Sequence, residues 1–129
     1  MQIGLLLAVA VVLGCAAGCT PTGEQAARQA AQQFQAAVRS GDWAGACRLL
    51  SDEARGSLES ASVRPCPKAV AALRLPAGAP GADQVWGRDA QVALDSGVLF
   101  LAEFRAGWRV TAAGCTSRTD QPYDCRVEG

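Results

Sequence analysis

Histidine is missing altogether from this chain of 129 residues. Its absence removes the side chain best suited to proton transfer near neutral pH and the commonest nitrogen ligand for zinc. The six cysteines contain no C-x-x-C pair, so the usual arrangements of a structural zinc site are not available, and no metal site is expected. A G-x-S-x-G nucleophile turn, a phosphate-cradling glycine loop and an acidic cluster spaced for calcium are lacking too, so no cofactor is expected either. Net charge is also absent. Twelve basic residues balance twelve acidic ones with no basic stripe, which argues against a nucleic-acid partner. Lys68 is the sole lysine, and with so many alanines this is the imprint of a GC-rich genome more than of function.

No charge precedes Glu24. Residues 3–17, IGLLLAVAVVLGCAA, form an apolar run shorter than the roughly 20 residues a membrane-spanning helix needs, which suits the apolar region of a signal peptide. Ala16-Ala17-Gly18 before Cys19 resembles a bacterial lipobox, in which a peptidase cuts ahead of a diacylated cysteine. The expected layout is a lipoprotein signal peptide over 1–18, a lipidated tether over 19–23 and a single domain over 24–129. That places the protein on the outer face of the cytoplasmic membrane, with the membrane as partner through a lipid on Cys19. Cutting at Cys15 instead would leave Cys19 without an evident partner, and a plain secretory signal is the blander alternative. Met1-Gln2 supplies no positive charge ahead of the run.

Export implies an oxidising compartment, where Cys47, Cys66, Cys115 and Cys125 can pair in three ways. Joining sequence neighbours gives Cys47 to Cys66 and Cys115 to Cys125. Closing loops this short contributes roughly 2.5 to 3 kcal/mol each in the chain-entropy picture.

Residues 90–113 read as a three-strand meander, AQVAL, VLFLAEF and WRVTAA, joined by loops that each end in glycine, Asp95-Ser96-Gly97 and Arg105-Ala106-Gly107. Three-residue loops predict that Leu94 opposes Val98, Val92 opposes Phe100 and Ala102 opposes Val110, giving one apolar face. The other face would carry Leu99, Leu101 and Ala93 beside a Glu103–Arg109 pair. Two-residue loops scatter the apolar set and are set aside. Upstream, Glu24 to Arg39 predicts a helix with Ala27, Ala30, Phe34 and Val38 on one stripe and Arg28 and Gln35 off it. Asp42 predicts a cap for a second helix and Ser51-Asp52-Glu53 a restart, with a short helix over Lys68 to Leu73. Leu75 to Ala82 reads as a flexible linker, Val85-Trp86 as the start of a strand that Gly87 bulges, and Tyr123 to Val127 as a last strand. The expected class is α+β, N-terminal helices packed on a curved antiparallel sheet.

SGDWAGACRLLSDEAR, the proline-flanked Cys66 and the ending GWRVTAAGCTSRTDQPYDCRVEG resemble small actinobacterial lipoproteins similar to the nuclear transport factor 2-like, or ketosteroid-isomerase-like, superfamily. The resemblance implies a cone of helices and curved sheet around a pocket, on a fold that hosts isomerases, dehydratases, cyclases and non-catalytic binding modules. Its enzymes use a carboxylate base with a tyrosine and acid, or a histidine paired with aspartate. Without histidine the second pattern is excluded, and the one tyrosine, Tyr123, reads as packing for the C-terminal loop. No catalytic residue is assigned. Any pocket carboxylate would come from a helix or from Asp83 or Asp89. Trp43, Phe100 and Trp108 would line a pocket for a small apolar ligand, or simply form the core. Leu99 and Leu101 would make a sheet-face interface for a homodimer or an envelope protein. The function expected is a lipid-anchored extracytoplasmic binding module, with a small isomerase or cyclase using a lone carboxylate as the alternative.

Overall fold

The computed structural model describes residues 22–129, so the expected signal peptide and the lipidation site Cys19 lie outside the described residues. Four helices come first: α1 (Gly23–Ser40), α2 (Trp43–Leu49), α3 (Asp52–Ser62) and α4 (Cys66–Leu73). Six strands follow: β1 (Pro80–Trp86), β2 (Asp89–Leu94), β3 (Gly97–Phe104), β4 (Gly107–Arg118), β5 (Gln121–Asp124) and β6 (Val127–Glu128). The sheet is antiparallel in the order β1-β2-β3-β4-β5, with β6 also on β4. The class is therefore α+β, as the run of helices followed by strands dictates. Among the described residues no helix is long and apolar enough to cross a membrane.

Local chemistry explains where the helices start. Thr22 and Gln25 form a capping box, so the last two residues of the expected tether already belong to the helix start. Asp42 accepts from the Gly45 amide at 3.0 Å, and Ser51 accepts from the Ala54 amide at 3.1 Å. Cys66 opens α4 two residues before the expected Lys68, because Pro67 falls in the first turn, where a missing N–H leaves nothing unpaired.

The sheet differs from its expected register by one residue. Both loops are two-residue turns, Leu94 pairing with Gly97 and Phe104 with Gly107. The two glycines enter the ladder at φ 143° and 115°, conformations that L side chains rarely adopt, and a Cβ on Gly97 would strike the Cys115 carbonyl. A slip of one residue exchanges the faces. Leu99 and Leu101 point inward and are 1% exposed, so they form no sheet-face interface, while Phe100 points outward. Glu103 pairs with Trp108 and Ala102 with Arg109, so the expected Glu103–Arg109 pair does not form.

Three further segments are corrected. What reads as one bulged strand is the β1–β2 hairpin, with Trp86 paired to Asp89 across a Gly87-Arg88 turn, so the meander has four strands. The supposed linker is fastened: Leu75 and Gly78 are buried, and Gln35 Nε2 donates to the Gly78 carbonyl at 2.9 Å. The C-terminal strand is two short ones, β5 and β6, after a β4 that runs to Arg118.

The core lies between α1 and the sheet. Ala27, Ala31 and Phe34 are fully buried together with Val92, Leu99, Leu101 and Val110. Alanine on the helix lets the backbone approach the sheet, and the single phenylalanine fills what remains. Disulfides join Cys47 to Cys66, fastening α2 to α4, and Cys115 to Cys125, fastening β4 to the segment between β5 and β6. These bonds belong to an oxidising, extracytoplasmic compartment.

Candidate functional site

The three aromatic residues expected around a pocket are not brought together. Trp108 is buried on the inner face of β4, Trp43 is half-buried on α2, and Phe100 lies on the opposite face of the sheet. There Phe100 packs edge-to-face on Tyr123, ring centroids 5.1 Å apart, and Gln91 reaches toward the Tyr123 hydroxyl at 3.4 Å. Tyr123 thus folds the C-terminal segment onto the outside of the sheet. A depression of about 320 Å³ lies beside this pair, floored by Thr111, Ala112 and Pro122.

The interior that a cone would keep open is almost filled. Between Phe34, Gln35, Leu75, Leu94 and Leu99 the free space is about 10 Å³, no more than one water requires. Asp83 does enter the space between α1 and β1, where its side chain is only 2% exposed, but Arg28 is bound to its Oδ1. Its Oδ2 is buried with no hydrogen-bond partner. Asp89 is exposed at the start of β2. With its Oδ1 taken by a guanidinium that ties α1 to β1, the carboxylate reads as half of a structural clamp.

Removing one partner of such a clamp strands a charge away from water. Arg28→Ala is expected to cost about 2 to 3 kcal/mol, since the Arg28 side chain is 40% exposed and Asp83 could relax only partly toward solvent. Urea unfolding checks this: adding Asp83→Asn to Arg28→Ala should recover at least half the loss, and strictly additive costs would show that the two residues are uncoupled.

The larger concavities lie on the surface. One of about 550 Å³ runs between α1 and α2, past Gln33, Ser40, Asp42 and Leu49. A second, of about 540 Å³, lies between the start of α3 and the β3–β4 turn, past Leu50, Asp52 and Phe104. Arg48 and Arg109 line both, so the two form a groove with two lobes divided by a pair of guanidiniums. Arg109 is held in place, donating to the Trp108 carbonyl at 2.8 Å and to the Ala106 carbonyl at 3.3 Å. Arg48 is exposed and makes no ion pair among the described residues. Backbone geometry builds the junction between the lobes: the Ser51 amide donates to the Val110 carbonyl at 2.9 Å, holding the α2–α3 joint against β4. Nothing in the sequence marks this groove, because residues 48 and 109 come to line one surface only through that long-range packing. No group of three or more potential metal ligands occurs among the described residues. Compared with protein families, curated proteins and solved structures, the chain finds no match.

Proposed function

We propose that the protein is a lipid-anchored, extracytoplasmic interaction module without catalytic activity, and that its working surface is the Arg48–Arg109 groove. The observation that carries this reading is the filled interior: Phe34, Leu99 and Leu101 occupy the space where a small apolar ligand or substrate would bind. The nuclear transport factor 2-like architecture agrees with the layer order, helices against one face of an antiparallel sheet, and in that superfamily the same space is the pocket. The mechanism is tethering. Acyl chains on Cys19 hold the domain at the bilayer, each buried methylene contributing about 0.8 kcal/mol. The groove then offers a planar guanidinium at Arg48, suited to a carboxylate of an envelope protein. The alternative, an isomerase or cyclase with a lone carboxylate base, would rely on Asp83, which Arg28 already occupies.

Native mass spectrometry of the mature chain tests the reading, together with photo-cross-linking from position 48 in intact cells. No retained small molecule is expected, and a discrete adduct should form from position 48 but not from position 39, on the exposed side of α1. A co-purifying apolar molecule would overturn the proposal and make the interior the working part.

A further inference from the structure

Four large apolar side chains stand exposed on the described surface: Val63, Trp86, Phe104 and Tyr123. Val63 ends α3 and Tyr123 lies on β5, beside the far end of β4. Trp86, 56% exposed, and Phe104, 44% exposed, are the last residues of β1 and β3. Antiparallel pairing brings these two strand ends to one end of the sheet. There the β1–β2 turn is bonded to β3, the Glu103 amide donating to the Arg88 carbonyl at 2.8 Å and Arg88 Nη2 to the Glu103 carbonyl at 3.0 Å.

The chain enters the domain at this same end. Helix α1 runs antiparallel to β1, since Arg28 meets Asp83 while Gln35, two turns on, reaches Gly78. The start of α1 is therefore level with Trp86, and Gly23 lies against the indole of Trp108, a Cβ there falling 4.0 Å from Cζ2. Thr22, the N-cap, is three residues from Cys19, so the two Cα atoms can be no more than about 11 Å apart. An acyl anchor on Cys19 fixes that residue at the bilayer surface, where the headgroup layer is about 6 Å deep. So short a connection leaves this end of the domain nowhere to be except against the lipid.

We propose that the end of the sheet bearing the β1–β2 and β3–β4 turns rests on the phospholipid bilayer, with the rings of Trp86 and Phe104 seated among the headgroups. The proposal rests on the lipid anchor read above and adds the orientation of the domain. The amphipathic indole of Trp86 favours that depth of a membrane, and the wholly apolar ring of Phe104 leaves water beside it. The charges around them balance, Arg88, Arg105 and Arg109 against Glu24, Asp89 and Glu103, so the contact is made by the rings and does not depend on anionic lipid. The Phe104 and Arg109 lobe of the groove then opens just above the membrane surface, within reach of a membrane protein's juxtamembrane segment.

The test uses the full-length chain matured in a lipoprotein-processing host and reconstituted into phosphatidylcholine–phosphatidylglycerol vesicles with acyl chains brominated near the headgroup. Bromine is expected to quench the tryptophan emission, equally at low and high salt. Trp86→Phe should abolish the quenching while the protein still floats with the vesicles. Acylated, floating protein with unquenched emission overturns the orientation and leaves the anchor standing. A blue-shifted Trp86 without quenching also overturns it, placing protein rather than lipid on the ring. Quenching lost at high salt overturns the ring-driven contact. Protein that does not float, with Cys19 unmodified by mass, overturns the anchor and the orientation with it.

Discussion

Cys19→Ala is expected to abolish maturation: without the thiol neither acyl addition nor cleavage after Gly18 can take place, and the uncleaved chain accumulates. A single myristoyl chain binds membranes only marginally, with an association constant of about 10⁴ M⁻¹, and stable attachment takes a second chain or an equivalent signal. Replacing a multi-acyl anchor with an uncleaved run too short to span the bilayer should leave a protein that an alkaline wash releases. Intact-mass measurement of the membrane fraction is the check. The wild type should appear as residues 19–129 plus acyl groups and the variant as unprocessed chain, while Cys15→Ala should process normally. Processing at Cys15 in the Cys19 variant would move the anchor four residues upstream. The fold should be unaffected in each case, because α1 is capped by its own Thr22 and Gln25.

Phe34→Ala is expected to be the most damaging single substitution in the domain, lowering stability by about 3 to 5 kcal/mol. Among the described residues Phe34 is the largest fully buried side chain, and its neighbours on α1, Ala30, Ala31, Ala37 and the stiff Val38, have few atoms to spare for the gap. The sheet beyond it cannot collapse inward, since its register is fixed by two-residue turns and by the Cys115–Cys125 bond. A domain of this size has about 5 to 15 kcal/mol of stability in total, so the variant should be close to unfolding at growth temperature. Urea unfolding with an unchanged denaturant slope would confirm the loss as a native-state cavity. An apolar void of that kind stays dry, so benzene or xenon should bind the variant and not the wild type. A loss below 1 kcal/mol would mean that the interior already has room to rearrange, and would reopen the case for a ligand there.

The helices and both disulfides were legible because their signals are local. Asp42 and Ser51 mark helix starts within three residues of the amides they cap, and each disulfide joins cysteines close in sequence. The register was not legible for a definite reason. VLFLA is apolar at every position, so a slip of one residue still buries hydrophobic side chains, and alternation could not decide between Leu99 with Leu101 and Val98 with Phe100. The turn length decides it, and glycine at φ 143° or 115° is as acceptable at the first ladder position as at the end of a longer loop. Gln35 and Arg28 read as the wet side of α1, yet each reaches a buried partner, Gly78 and Asp83, more than 40 residues away. Those contacts join Ala27, Ala31, Phe34 and Val38 in fixing the inward face of α1, and no periodicity reveals them. The Arg48–Arg109 groove was hidden in the same way.

The two edges of the sheet are unequal. Along β4 the outer backbone is covered in sequence by Ser51 on Val110, by Arg126 and Gly129 on Ala113 and Thr111, and by β5 on Thr116 and Arg118. Strand β1 has β2 on one side only, and Pro80 at its start offers no N–H. Polymerisation through strand addition needs a vacant edge at each end of every unit, so that each added copy presents a new template. Here the second edge is broken into the four residues of β5 and the two of β6, too short to template a full strand, whereas the seven residues of β1 can pair with a second β1. Unequal edges of this kind favour pairing that ends at two copies over strand addition that propagates into fibres.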